Sequence, residues 1–220
     1  MSEATVPVRI WDIPIRLFHW AIVIILATSW ISEEQGWMEL HFLAGYSLLA
    51  LLLFRLAWGF VGSHTARFTS FLRSPLTVVR YISRLHRREP DTELGHNAAG
   101  GWMALVMLVL LAVQVGTGLC ANDDVMNEGP LFNYVGKDWS DWLSHIHAVN
   151  FTLIQIVASL HVLAILAYAL VKKHDLVRPM VTGLKRLPIG TTPPRLASPL
   201  LALLLFAIAI AAVALLVTRA

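Results

Sequence analysis

The chain has 220 residues, 57% hydrophobic and only 14% charged, with a formal net charge of +3 and a single cysteine, Cys120. Its mean hydropathy of +0.66 places it in lipid and excludes a disordered tail. One cysteine excludes a disulfide scaffold, a CxxC zinc site, a four-cysteine iron–sulfur cluster and covalent haem attachment through CxxCH.

A membrane span needs about 20 apolar residues, and five stretches qualify. The first, about residues 15–32, holds Arg16 and His19 near its start. Arg9 and Arg16 could form the basic region of a signal peptide. No small-residue cleavage site follows, however, and His19 interrupts the apolar run, so the span is read as retained. The second, about 40–60, opens at His41 and contains Gly45 and Arg55. A basic stretch from Ala66 to Arg88 follows. There Phe68, Leu72, Val79 and Ile82 keep helical spacing while Arg73, Arg80, Arg84 and Arg87 share another face, which predicts an amphipathic segment on anionic lipid headgroups, started or kinked at Pro75. The third span, about 99–120, follows His96 and Asn97 and contains Gly116 and Gly118. The fourth, about 145–171, carries His145, His147 and His161. A loop with Gly183, Pro188, Gly190, Pro193 and Pro194 precedes the fifth, about 197–217, which has no charge and no histidine and is read as peripheral to a four-helix core.

Of the 17 lysines and arginines, all but Lys137 and Arg219 fall on one side of this arrangement. The excess of cations on cytoplasmic loops then predicts a cytoplasmic N-terminus and a C-terminus on the opposite side of the membrane. The opposite loops hold Glu33, Glu34, Asp123, Asp124, Glu128, Asp138 and Asp141. Trp11, Trp20, Trp58 and Trp102 fall near the inner interface and Trp30, Trp37, Trp139 and Trp142 near the outer one, as aromatic belts do. The +3 charge is thus a difference between two faces, and nucleic acid is not the partner it implies.

The nine histidines divide by place. His64, His86, His96 and His174 lie in or beside basic segments, where a polar residue needs no special role. An ionisable residue inside a span is costly without a partner and marks a function. His147 and His161 are fourteen residues apart, about 3.9 helical turns, so they share a face at two depths separated by about 21 Å. His145 points nearly the other way. Matching by depth across an antiparallel bundle pairs His41 with His147 at the outer level and His19 with His161 at the inner level. Two imidazole pairs from facing helices suit a low-spin haem iron at each level, with Gly45 leaving a face open for a flat macrocycle and Gly116 and Gly118 serving likewise or packing helices. Interhelical hydrogen bonding is the alternative use of the histidines. The pairs lie too far apart to share one zinc ion.

Four segments carry a family resemblance: Trp-Asp-Ile-Pro-Ile-Arg-Leu-Phe-His-Trp (11–20), Leu-His-Phe-Leu-Ala-Gly-Tyr (40–46) continuing to Phe-Arg-Leu-Ala-Trp-Gly-Phe-Val-Gly (54–62), Gly-His-Asn-Ala-Ala-Gly-Gly-Trp-Met (95–103), and His147 with Leu-His-Val (160–162) before Met180 and Gly183. Together they resemble the bacterial cytochrome b561 and nickel–iron hydrogenase b-type cytochrome family over about residues 9–185. The resemblance implies an all-α membrane bundle whose residues 1–185 form a four-helix core with two non-covalent, bis-histidine b haems held by His19, His41, His147 and His161; residues 186–220, a loop and an extra helix, lie beyond it. It also implies electron transfer between the quinone pool and a redox partner. An alanine stands where the third-helix motif often reads Asn-Pro, and many members lack the fifth span.

The expected function is transmembrane electron transfer between a quinone and a periplasmic partner such as a c-type cytochrome, with quinol oxidoreductase activity left open. Arg16 and Arg55 are candidates for the inner haem propionates or for setting topology. His96 and Asn97 are candidates for a quinone pocket, a propionate contact or a helix-start polar cluster. The acidic outer loop suits a lysine-rich c-type cytochrome. The alternatives are a membrane anchor and electron conduit for a hydrogenase-like or other periplasmic dehydrogenase, and a haem-free transporter. Membrane lipid is a partner on any reading, and a homodimer stays open.

Overall fold

The computed structural model describes residues 4–84 and 92–219. His86, Arg87 and Arg88 lie outside the described residues. Five long helices carry the apolar stretches: α1 (Ile13–Glu34), α2 (Met38–Val61), α5 (Ala98–Gly118), α7 (Lys137–Ala167) and α9 (Pro199–Arg219). The short helices are α3 (Phe68–Phe71), α4 (Pro75–Ser83), α6 (Phe132–Val135) and α8 (Val177–Thr182). The bundle is joined by an antiparallel ribbon that hydropathy did not suggest, β1 (Thr5–Arg9) against β2 (Leu184–Pro188), with Pro7 opposite Arg186.

The start of α1 is built by Asp12. Its carboxylate accepts the Ile15 N–H at 2.7 Å as an N-cap, with Pro14 in the first turn. The same carboxylate accepts the Trp58 indole N–H at 3.0 Å, fastening α1 to the end of α2. Trp58 is fully buried and Trp11 nearly so, at 0% and 5% exposure. These two tryptophans are therefore core residues and not part of an interfacial belt: a buried carboxylate needs donors, and the indole supplies one. Trp30, Trp37, Trp139 and Trp142 remain exposed.

The expected amphipathic segment is broken in two. The chain is extended at Leu72, and Ser74 then caps a new helix by accepting the Thr77 N–H, with Pro75 as its first residue. A proline disfavours helix at the residue before it, which separates α3 from α4. The fourth span also begins earlier than its hydropathy indicates, at Lys137, and ends in a π-helical turn, Tyr168–Lys172, closed by Lys173 in the left-handed region at φ 60°.

Helix α9 packs along α2, where Phe206 meets Phe54 edge to face at 5.8 Å and Ala202 and Ala209 are buried. Its approach is tied to the end of α2 by the Ala197 N–H to the Ser63 hydroxyl and the His64 N–H to the Arg195 carbonyl. The helices thus form one group of α1, α2 and α9 and another of α5 and α7, bridged through α2 and α5. Helix α7 has no comparable backbone packing against α1 or α2. The candidate site lies across that interval.

Candidate functional site

The two helix groups bring together the histidines that spacing pairs by depth. The His41 ring of α2 and the His147 ring of α7 have centroids 6.3 Å apart at the acidic end. The His19 ring of α1 and the His161 ring of α7 are 6.5 Å apart toward the arginine-rich end. A metal held between two imidazole nitrogens at about 2.0 Å each sets the ring centres roughly 6.4 Å apart. Neither pair is in hydrogen-bond contact, so mutual hydrogen bonding does not account for the spacing. His145 is exposed, as its position on the opposite face of α7 requires.

Each outer histidine is oriented by a neighbouring helix. The His41 Nδ1–H donates to the Ser29 carbonyl at 2.9 Å, which leaves Nε2 directed elsewhere. The His147 Nδ1–H donates to the Gln114 carbonyl, also at 2.9 Å, and the Thr117 hydroxyl stands 3.2 Å from the same nitrogen. Such a bond to a backbone carbonyl selects the tautomer with Nε2 free to bind a metal. The Gln114 side-chain amide lies 3.0 Å from His147 Nε2, and its carbonyl end accepts from Asn150 at 2.7 Å. A metal held by Nε2 would take the place of that amide contact. Gln114, Thr117 and Asn150 are buried polar residues that hydropathy passes over. Their legible signal is a polar group at helical spacing inside two otherwise apolar spans.

The glycines near this level divide. A Cβ on Gly118 would come within 2.8 Å of the His147 ring, so the ring occupies the place a side chain would take. Gly116 is exposed on another face of α5, with open space where its Cβ would be. Gly45, one turn after His41, likewise has nothing within 4 Å of a built Cβ.

The inner level carries a different signature. Four buried side-chain nitrogens lack a hydrogen-bond partner among the described residues: Arg16 Nε, His19 Nδ1, Arg55 Nη1 and His96 Nδ1. All four belong to residues selected from the sequence, and buried polar groups are otherwise almost always paired. Arg55 is 3% exposed, its guanidinium 4.9 Å from the Phe68 ring centre. Arg16 donates through Nη1 to the Thr182 carbonyl and is pressed against Gly183, whose φ of +82° turns the chain back toward β2. His96 wedges between Trp11 and Phe71, each 4.9 Å from its ring. Desolvation holds its imidazole down to about 4, with the Arg55 charge acting in the same direction.

Asn97 is engaged at both ends. Its carbonyl oxygen caps α5 by accepting the Gly100 N–H at 2.8 Å, and its amide donates to the Tyr168 hydroxyl at 3.2 Å. This is the helix-start polar cluster among the readings the sequence allows. At the acidic end, Asp123 is consumed by its own loop: it accepts from the Asn127 amide and from the Val125, Met126 and Asn127 N–H groups, which hold its carboxyl below the usual carboxylate range. Asp124 and Asp141 both bind Lys137. This acidic loop therefore presents fewer free acids than its composition implies.

The sequence matches the family model for prokaryotic cytochrome b561 over residues 10–183. The chain belongs to the prokaryotic cytochrome b561 family. The match contains both histidine pairs and ends at Gly183, before β2 and α9. A protein of Bradyrhizobium diazoefficiens, described as a probable Ni/Fe-hydrogenase B-type cytochrome subunit, is 21% identical, covering 80% of this chain and 85% of its own length. No solved structure gives a significant match. Membership in a b-type cytochrome family implies haem b and electron transfer, and five long apolar helices make this b561 chain a multi-pass membrane protein. The residues present fit that group: two imidazole pairs at metal-bridging separation, an interval between helices beside them, and unpaired cationic and imidazole donors at one end.

Proposed function

We propose that this b561-family protein binds two b haems, each between two histidines, and conducts electrons across a bacterial inner membrane between the quinone pool and a periplasmic redox partner. The observation that carries this reading is the matched separation of two independent imidazole pairs, 6.3 and 6.5 Å. His41 and His147 serve the outer haem, and His19 and His161 the inner one. Bound haem b supplies a one-electron iron centre at each level. The protein's part is to hold neutral imidazoles in fixed orientation, exclude water and offset charge. Ser29 and the Gln114 carbonyl do the first for the outer pair. Arg16, Arg55 and His96 are suited to the carboxylates of the inner macrocycle, because their buried N–H groups need acceptors. The distribution of lysine and arginine supports a cytoplasmic location for the arginine-rich end.

The physiological partner has two forms. A c-type cytochrome would meet the acidic end directly. The relative described as a hydrogenase cytochrome subunit favours the second form, in which this chain is the membrane conduit of a periplasmic dehydrogenase complex. Both make the same demand on the site. The test is haem content and a dithionite-reduced spectrum of the purified protein: two b haems per chain are expected, and a protein that takes up no haem overturns the assignment. Copurification from the native membrane separates the partners.

A further inference from the structure

At the arginine-rich end, α4 and the π-helical end of α7 enclose an open cavity of about 340 Å³ lined by Thr77, Arg80, Tyr81, Arg84 and Lys172. Three of its five lining residues are cations, and among the described residues no carboxylate pairs with them. The lining is a consequence of helical phase. Thr77, Arg80 and Tyr81 recur at three- and four-residue intervals and share one face of α4, and Arg84, the residue that ends the helix, follows Tyr81 by three on the same side. Leu76, one turn before Arg80, borders that face, while Val79 and Ile82 turn from it toward the far side of the helix; all three are exposed, by 57%, 63% and 53%.

Lys172 arrives from the other side. Its ammonium stands 5.7 Å from the Tyr81 ring centre and 5.6 Å from that of Tyr168, so two aromatic faces hold the charge at the cavity. The two tyrosine hydroxyls bond to each other, and Asn97, the cap of α5, donates to Tyr168. The cavity is thus fixed to the transmembrane helices and does not ride on a free surface segment. Lys172 follows His161 by eleven residues, about 16 Å of helix, which carries it from the inner histidine level toward the membrane surface.

We propose that this cavity binds the phosphate of a single anionic phospholipid from the same leaflet. Arg80 and Arg84 supply guanidinium N–H groups and Lys172 an ammonium, the donors that phosphate oxygens take best. Leu76, one turn before Arg80, begins an uncovered apolar strip that continues round α4 through Val79 and Ile82, so the acyl chains have an apolar path leading away from the headgroup, and that continuity favours a lipid over free phosphate. The site differs from a diffuse basic surface in having one stoichiometric occupant. It rests on the membrane placement of the bundle and not on the haem assignment.

The test is native mass spectrometry of the full-length, haem-loaded protein, delipidated in neutral detergent and titrated separately with phosphatidylglycerol, phosphatidylcholine and inorganic phosphate. One saturating phosphatidylglycerol adduct is expected, at least tenfold tighter than phosphatidylcholine. Arg80→Gln and Lys172→Gln should each weaken it roughly fivefold. Arg9→Gln, at an exposed arginine of β1, should leave it unchanged. Arg84→Gln, an exposed position, is the replacement variant if Lys172→Gln does not fold. Equal adducts with both lipids, equal losses from Arg9→Gln and Arg80→Gln, or binding of inorganic phosphate without phosphatidylglycerol would each overturn the proposal. The haem mass in the same spectra reports separately on the histidine sites.

Discussion

His147 rests on Gly118: a Cβ built on that glycine would lie 2.8 Å from the imidazole Cε1 and 3.1 Å from Nδ1. Helix α5 therefore sets the outer histidine both by hydrogen-bonding its Nδ1 through the Gln114 carbonyl and by withholding a side chain. Gly118→Ala is expected to displace the ring and weaken retention of the outer haem roughly tenfold, with the inner haem unaffected. Gly116→Ala, where the space is open, should change neither. The haem-to-protein ratio and the reduced spectrum of the two variants check this, and equal behaviour would remove Gly118 from the site.

His161→Ala leaves His19 without its counterpart across the 6.5 Å interval. The inner haem should be lost or become high-spin while the outer one stays low-spin. Electron paramagnetic resonance of the oxidised protein distinguishes the two. A spectrum identical to that of the unaltered protein would reject the pairing of His19 with His161.

Asp12 caps α1 and binds Trp58, and it is 5% exposed. Asp12→Ala removes a cap and leaves a buried indole N–H without its acceptor, at a cost of about 2 kcal/mol. The thermal midpoint in detergent should fall by roughly 5 °C. Asp12→Asn keeps an acceptor for the Ile15 N–H but not for both donors, so it should recover part of the loss. A midpoint for Asp12→Ala equal to that of the unaltered protein would contradict the role.

Burial holds His96 down to about 4, so its ring stays neutral at pH 5.5. The unfolded chain takes up that proton near pH 6.5, before the folded one does, so this group removes stability as pH falls from about 6.5 to 4. Nuclear magnetic resonance of ¹⁵N-histidine protein, with His96→Gln to assign the signal, reads the titration directly. In haem-free protein, where no haem carboxylate faces the ring, a midpoint at or above 6.5 would show that the ring is solvated.

Much of the candidate site's arrangement is legible in the sequence because helical phase and depth coincide in one segment. The fourteen residues from His147 to His161 fix a shared helical face at two depths, and the edges of α1 and α2 place His19 and His41 at those depths. Arg16, Arg55 and His96 were legible as polar residues beside apolar runs, although His96 looked interfacial and proves to be wedged between aromatic rings. Gln114, Thr117 and Asn150 were not singled out. Gln114 and Thr117 share one span and Asn150 lies in another among further polar residues, and only the neighbouring helix shows what each bonds. Trp11 and Trp58 are illegible as core residues for the same reason, since a tryptophan near a helix end looks alike whether it faces headgroups, a buried carboxylate as Trp58 does or a histidine ring as Trp11 does.

Composition and helical phase by themselves determined the solvent, the five apolar helices, the basic and acidic ends, and which histidines can share a level, because hydropathy and the 3.6-residue turn are local properties of the chain. The tertiary structure decided what depends on contacts between distant segments. It divided the helices into two groups with the histidine pairs facing across the interval, placed α9 on α2, and joined residues 5–9 to 184–188 as a ribbon. It also left four buried nitrogens, one of them on His19 itself, without a hydrogen-bond partner among the described residues, a property that exists only once burial has removed the water that would otherwise satisfy them.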